Sequence, residues 1–264
     1  MQIKIIQWNI KINSSTDKIV EFLRSRIEDN TIINLQEVSR NAYEYISQEI
    51  DCDAAYSLNY RSPGRFEGRN RKMGLMTLVN SGEILKSELV NTSIFPERTL
   101  VSKIKIADAT LNNLTFHSLT GVDYKKAKSS NFASIASFID RQSIDIMTCD
   151  ANEPQVDAIN DEEIVFFDNR DKGRMAGLLF GGNKIHDLKD TYKHYSILHS
   201  QPLEAGYTHI TGSNKKRYDY IYCRNYWNVL SSMVSYYESI NASSDHGLLE
   251  TKVEIEDKDY NSNK

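Results

Sequence analysis

The chain has 264 residues, of which 40% are hydrophobic, and a net charge of −4. The length allows one large domain or two small ones, and no segment has the composition of a linker. We therefore expect a single domain over residues 1–255 and a polar, disordered tail at 256–264. The negative charge excludes the class of strongly basic nucleic-acid-binding domains. No apolar run approaches the roughly 20 residues needed to cross a membrane.

The N-terminus and the cysteines indicate the compartment. Met1 leads directly into strand-like alternation, without the layout of a signal peptide. Cys52, Cys149 and Cys223 are odd in number, scattered and without metal-ligand spacing, which is typical of reduced thiols. We therefore expect a cytoplasmic monomer without a membrane anchor.

In chain order, strands alternate with helices and then follow one another. Asp17 is predicted to cap a first helix, because Ile19, Phe22, Leu23 and Ile27 keep helical spacing. A second helix presents Tyr43, Ile46 and Ile50 on one face, and a third covers 131–141. The predicted strands are 2–10, 31–35, 73–79, 83–90, 99–106, 110–119, 144–149, 164–167, 218–223, 227–235 and 248–255. This mixture favours α/β layers, with two sheets packed together inside flanking helices.

Polar side chains follow the early strands where each strand ends. Asn9 closes the first strand, Glu37 follows the buried run 32–35, and His117 ends the strand that starts at residue 110. A glutamate at the end of a buried strand needs a partner, and a cation is the simplest one. Asn9 and His117 also have ordinary explanations: an Asn in a turn, and a His in a structural hydrogen bond.

The later strands repeat this pattern. Asp150 and Asn152 are two residues apart beyond an apolar strand, a spacing that suits one shared site or an Asx turn. Asp219 lies inside an aromatic, β-branched strand, where an acid requires pairing. Asp245 and His246 precede the last strand, and histidine is the side chain best suited to exchange a proton near pH 7.

Together, these six motifs in this order resemble the endonuclease/exonuclease/phosphatase superfamily, the deoxyribonuclease I-like metal-dependent phosphoesterases. The resemblance extends from Asn9 to His246. It implies a four-layer α/β sandwich in which helices flank two packed, mostly antiparallel mixed sheets. It also implies that Glu37 and Asn9 hold an essential divalent ion, normally Mg²⁺ with Mn²⁺ as a substitute. Asp245 would add to the metal or phosphate site.

The resemblance assigns catalytic roles to the remaining motif residues. Asp150 and Asn152 would orient the nucleophilic water and the phosphate. Asp219 would steady His246, and His117 would contact the phosphate or the leaving group. The implied reaction is Mg²⁺-dependent hydrolysis of a phosphodiester by in-line attack of water. Which residue is the base and which is the acid stays open at this point.

Differences from the family pattern bear on which branch of the superfamily the chain resembles. Lys11 stands where exonuclease III-type enzymes carry an acid, and His117 stands where they tend to have Tyr. Both differences disfavour abasic-site repair. Deoxyribonuclease I pairs the corresponding His with a carboxylate, and here Met73 or Gly74 lies near that place. The role of His117 as an acid therefore stays open. Cys149 replaces the usual Gly before the Asp-x-Asn motif.

Basic residues suggest a polyanionic substrate. They concentrate in the loop 61–72, in the lysines at 125, 126 and 128, and at 215–217, beside the motifs. These clusters could attract a phosphate backbone or be ordinary solvated charge. The predicted substrate contacts are Arg65, Arg69, Arg71, Arg98 and Lys125.

Three functions therefore remain, and a nuclease acting on DNA or RNA leads. A phosphoesterase for a nucleotide, phosphoinositide or sphingomyelin-type substrate is the alternative. The third is an inactive binding module, which would have no need of Glu37, Asp150 and His246 together.

Overall fold

The computed structural model describes residues 1–62, 72–120, 126–167 and 171–255. In these ranges the strands are β1 (Gln2–Asn9), β2 (Thr31–Val38), β3 (Asp53–Tyr56), β4 (Gly74–Asn80), β5 (Gly82–Glu88), β6 (Thr99–Ile106), β7 (Ala109–His117), β8 (Ile146–Asp150), β9 (Lys189–Asp190), β10 (His209–Thr211), β11 (Asn214–Lys216), β12 (Asp219–Cys223), β13 (Asn228–Ser235) and β14 (Leu248–Glu254). The α-helices are α1 (Thr16–Arg24), α2 (Arg40–Glu49), α3 (Lys126–Arg141), α4 (Arg174–Phe180), α5 (Thr191–Leu198) and α6 (Tyr236–Asn241). The expected tail at 256–264 lies outside the described residues.

The larger strands form two six-stranded mixed sheets. The first has the order β13-β14-β1-β2-β4-β3 and the second β5-β6-β7-β8-β12-β9. In each sheet one pair is parallel, β1 with β2 and β7 with β8, and the other neighbours are antiparallel. The strands β10 and β11 form a separate hairpin. The predicted sandwich of two mostly antiparallel mixed sheets is confirmed.

Alternation along the strands divides the core into three apolar layers. Between the sheets lie side chains such as Ile3, Ile5, Ile32, Ile104, Ile146 and Ile221. Outside the first sheet, α1 and α2 cover Ile6, Trp8, Ile33 and Leu35. Outside the second, α3 and α4 cover Leu114, Phe116, Met147 and Cys149. Each fully buried aliphatic or aromatic side chain contributes about 1.5–3 kcal/mol of transfer free energy, so these layers hold the sheets in register.

Several element predictions were wrong. The expected strand at 164–167 is reduced to a single bridge between Val156 and Val165. The N-cap position of the first helix is Ser15, whose side chain makes no capping hydrogen bond, and Asp17 lies in the first turn. The third helix begins at Lys126 and not at residue 131, and α4, α5 and α6 were missed. In the described ranges, no helix is both long and apolar enough to cross a membrane.

Candidate active site

Six strand termini meet at one end of the sandwich. The parallel strands β1, β2, β7 and β8 end there, and the antiparallel strands β12 and β14 begin there. In the strand register Asp150 lies opposite both His117 and Asp219. The structure therefore brings together seven of the predicted residues: Asn9, Glu37, His117, Asp150, Asn152, Asp219 and His246.

Towards this end the space between the sheets changes from apolar to polar. Gln36 Nε2 donates to Gln7 Oε1 at 2.7 Å within the first sheet and to Thr115 Oγ1 at 3.2 Å on the second sheet. Asn34 and Asn113 exchange hydrogen bonds of 3.0 Å, and all five residues are fully buried. Sequence analysis missed this network, although the signal was present: polar residues recur at every second position of apolar strands. The network fixes the spacing of the two sheets beneath the site.

A β-bulge aims Glu37 into the cleft. Regular alternation would put Glu37 on the face of Ile33 and Leu35, under the helices. Instead Glu37 adopts a φ of 60°, and the pairing of β2 with β4 shifts register between Leu35 and Val38. Val38 takes the place under the helices, and Glu37 turns to the site. Glu37 Oε2 then accepts the Ile12 N–H at 2.9 Å, while Oε1 lies 3.3 Å from Asn9 Nδ2.

His246 and Asp219 form a buried charged pair. The His246 Nδ1 atom lies 2.7 Å from Asp219 Oδ2, and Gln7 Nε2 donates to the other carboxylate oxygen at 3.2 Å. Burial lowers the pKa of His246, but the Asp219 and Asp150 carboxylates outweigh it and raise that pKa to about 10. The imidazole is therefore charged at neutral pH, and its Nε2–H can be donated to an anion.

Asp150 is the centre of the cluster. Its Oδ2 accepts a 2.9 Å hydrogen bond from Asn9 Nδ2 and lies 3.4 Å from His117 Nε2 and 3.9 Å from His246 Nε2. Its Oδ1 accepts the Asn152 N–H at 3.0 Å. Burial raises the pKa of Asp150 to about 7, against the opposing effect of the His246 charge. This carboxyl group can therefore gain or lose a proton near neutral pH.

His117 is neutral. Burial, together with the positive charges of Arg98 and His246, lowers the pKa of His117 well below its usual value. Its Nε2 faces Asp150 Oδ2 and lies 3.9 Å from Glu37 Oε1. A neutral ring in this position can donate one hydrogen bond, but it holds no second proton to release. Arg98 is itself buried and acts on the site through its charge.

Two residues that sequence analysis missed hold the His246 loop in place. Trp8 Nε1 donates to the His246 carbonyl at 2.8 Å. Ser244 Oγ donates to the Asn9 carbonyl at 2.6 Å and accepts the His246 N–H at 3.0 Å. Asp245, by contrast, is half-exposed and contacts Lys11 Nζ at 3.5 Å, so it lies at the edge of the cluster. Its predicted part in the metal or phosphate site stays a prediction.

Solved structures that superpose on nearly the whole chain identify the fold. D. rerio TDP2 in complex with a single-strand DNA product superposes with a TM-score of 0.68 at 12% identity, covering 96% of this chain and 99% of that chain. The human Nocturnin catalytic domain with a bound sulfate anion gives 0.66 at 16% identity, with coverages of 97% and 95%. An endonuclease/exonuclease/phosphatase from Bacteroides vulgatus gives 0.63 at 15% identity, with coverages of 97% and 100%.

The chain has the endonuclease/exonuclease/phosphatase fold. This confirms the resemblance found in the sequence at the level of the fold. Neither a protein-family model nor a curated protein sequence matches the chain.

The side chains at the strand ends of this endonuclease/exonuclease/phosphatase fold offer ligand atoms that suit a hard cation. Asp150, Asp219 and His246 present ligand atoms within 4.8 Å of one another, a group that could hold a metal ion. His246 and Asp219 already satisfy each other as a charged pair, so the carboxylates that face the cleft are Asp150 and Glu37. Carboxylate oxygens are the ligands that Mg²⁺ prefers. Asn9 points its amide nitrogen at both carboxylates and therefore serves as a hydrogen-bond donor in this structure.

The basic clusters only partly fit the predicted attraction of polyanions. Lys128 and Arg217 are buried, and each is bound to carboxylates, Lys128 to Glu153 and Arg217 to Asp157 and Asp190. The assignment of these two residues to a surface cluster was therefore wrong. The predicted contacts Arg65, Arg69, Arg71 and Lys125 lie outside the described residues.

Proposed function

We propose that the chain is a Mg²⁺-dependent phosphodiester hydrolase that cleaves nucleic acid by in-line attack of water. The observation that carries the proposal is the convergence on Asp150. His117 and His246, the latter held by Asp219, both face Asp150, and the Asn9 amide bridges Asp150 to the carboxylate of Glu37. A binding module would not need charged groups buried against one another in this way, because such burial costs stability.

The side chains divide the tasks of this reaction, and Asp150 has two of them. Glu37 and Asp150 would hold the cation, which neutralises the phosphate and stabilises charge on the leaving oxygen when it is bound. Asp150 accepts the proton of the attacking water, and Asn152 holds that water or a phosphate oxygen in line. His246 donates its Nε2–H to a non-bridging oxygen, and Asp219 keeps the ring charged and oriented. His117 donates a neutral hydrogen bond to the phosphate or the leaving group.

Single-stranded DNA is the first substrate to test, since the TDP2 structure of the same fold was determined with a single-strand DNA product. The assay is a panel of single-stranded DNA, plasmid DNA, RNA, a nucleotide phosphodiester and sphingomyelin or phosphoinositide vesicles, each with Mg²⁺, Mn²⁺ or EDTA. We expect metal-dependent hydrolysis of a nucleic acid. Turnover of only the small or lipid phosphates would favour the alternative phosphoesterase, and undiminished turnover in EDTA would refute the metal-dependent reaction.

A further inference from the structure

A buried lysine lies directly behind the Asp150–Asn152 turn. Lys128, in the first turn of α3, is 1% exposed, and its partner Glu153 is fully buried. Lys128 Nζ lies 2.7 Å from Glu153 Oε1 and donates a 2.8 Å hydrogen bond to the main-chain carbonyl of Asn152. The ammonium group thus touches the two residues that follow Ala151, and its charge also acts on the Asp150 carboxylate.

Glu153 is also held from the side away from Lys128. Glu153 Oε2 accepts the Phe167 N–H at 2.9 Å, and the Glu153 carbonyl accepts the Tyr220 hydroxyl at 3.1 Å. Burial lowers the pKa of Lys128 and raises that of Glu153, while the charge of each opposes the shift of the other. The two groups therefore depend on each other, since an isolated buried charge is strongly unfavourable.

The Asn152 backbone turns sharply at the site. Asn152 has a φ of 49°, in the left-handed region that, besides Gly, mainly Asn and Asp adopt. In that conformation its N–H donates to Asp150 Oδ1 at 3.0 Å, and its Nδ2 donates to the Ser118 carbonyl at 3.3 Å. The Asn152 carbonyl accepts the hydrogen bond from Lys128 Nζ.

We propose that Lys128 is a positioning residue whose ammonium group, bound to Glu153, holds the Asn152 carbonyl and thereby fixes the left-handed turn that places Asp150 and Asn152 against the substrate. This inference rests on the proposed function for its effect on turnover. Its effect on the turn itself can be measured without any substrate.

The test variant is Lys128→Met/Glu153→Gln. Changing both partners leaves no unpaired buried charge, and methionine occupies the volume of the lysine stem. We expect kcat to fall about 10- to 100-fold with KM changed by less than about threefold, because a misplaced catalytic group can cost about 10²-fold. The single variant Lys128→Arg keeps a charged donor beside Glu153, so its kcat should stay close to that of the wild type.

The chain offers a matched control. Lys4 is also buried, lies 3.1 Å from Glu250 Oε2 and donates to the Arg26 carbonyl at 2.8 Å. It lies near the start of β1, while the site lies at its end. Lys4→Met/Glu250→Gln removes the same kinds of contact, together with the 3.5 Å ion pair of Arg26 with Glu250, and should leave kcat unchanged. If both double variants lowered kcat alike, the Lys128 effect would be one of general stability and the proposal would fall.

Hydrogen exchange of the Asn152 amide provides the readout that does not depend on turnover. We expect this amide to be protected in the wild-type protein and to exchange at least about tenfold faster in Lys128→Met/Glu153→Gln. Rapid exchange in the wild type would overturn the proposal even if the variant failed to fold, and unchanged exchange in a folded variant would overturn it as well. If the wild type hydrolyses no phosphodiester, the proposed function fails, and the exchange data still decide whether Lys128 holds the turn.

Discussion

The His246→Ala variant should lose stability as well as activity. From the sequence, a loop residue at the edge of a cleft would carry little core burial, and its removal would leave the melting temperature near that of the wild type. The structure contradicts the premise, because His246 is 6% exposed and Asp219 is fully buried. Removing the imidazole would leave the Asp219 carboxyl group buried and without its 2.7 Å partner.

The size of the loss follows from that geometry. Removing one member of a buried ion pair costs about 3–5 kcal/mol. Asp219 keeps the Gln7 hydrogen bond to Oδ1, which favours the lower end of that range. With a urea m-value of about 3 kcal/mol per M, the unfolding midpoint of His246→Ala should fall by about 1–1.7 M. Such a loss is a large part of the 5–15 kcal/mol that typically stabilises a protein.

The control is the double variant His246→Gln/Asp219→Asn, measured by urea denaturation at pH 7 beside the single variant. Two neutral amides can keep a hydrogen bond without burying a charge, so most of the lost stability should return. Turnover should stay low, since no charged ring is left to donate to the phosphate. A wild-type unfolding midpoint for His246→Ala would refute the buried-pair reasoning.

Three further predictions concern metal, substrate charge and pH. Glu37→Gln should keep the bulge but weaken Mg²⁺ binding, raising the Mg²⁺ concentration for half-maximal activity; an unchanged requirement would remove Glu37 from the metal site. Replacing Arg65, Arg69 and Arg71 by Ala should raise KM for a polyanion and flatten its salt dependence, and an unchanged salt slope would mean that the loop is ordinary solvated surface. Burial lowers the pKa of His186 from 6.5 to about 4. Between pH 6.5 and pH 4, His186 therefore binds a proton in the unfolded state but not in the folded state. The free energy of unfolding decreases as the pH falls through this interval. Between pH 7 and pH 5 the wild type should lose about 2 kcal/mol more unfolding free energy than His186→Gln in chemical denaturation at the two pH values, and equal losses would show that His186 titrates normally in the fold.

The sequence was sufficient for the strands that carry the site because their signals are local. Asn9, His117 and Asp150 each end a hydrophobic run, so the motif could be placed before the sheets were known. The short helices α4 and α6 were missed because six or seven residues carry too little periodicity to stand out from a loop.

Other features depend on the whole fold. Nothing in the run from Thr31 to Val38 predicts the bulge. The bulge lets Val38 pack under the helices while Glu37 faces the cleft, and both requirements come from the rest of the fold. The burial of Lys128 likewise could not be predicted from the sequence, because its partner Glu153 lies 25 residues further along the chain, outside the helix. A lysine two residues into a helix has the same local sequence whether it is solvated or paired in the core.

The most direct test of the proposed active site is the cleavage of a labelled single-stranded oligonucleotide by the wild type and by Asp150→Asn, with Mg²⁺ and with EDTA, at equal folded fraction. We expect Mg²⁺-dependent cleavage by the wild type and a rate about 10²–10⁴-fold lower for Asp150→Asn, the usual cost of one lost acid–base group. Equal cleavage by the two proteins, or full cleavage in EDTA, would contradict the assignment of this site.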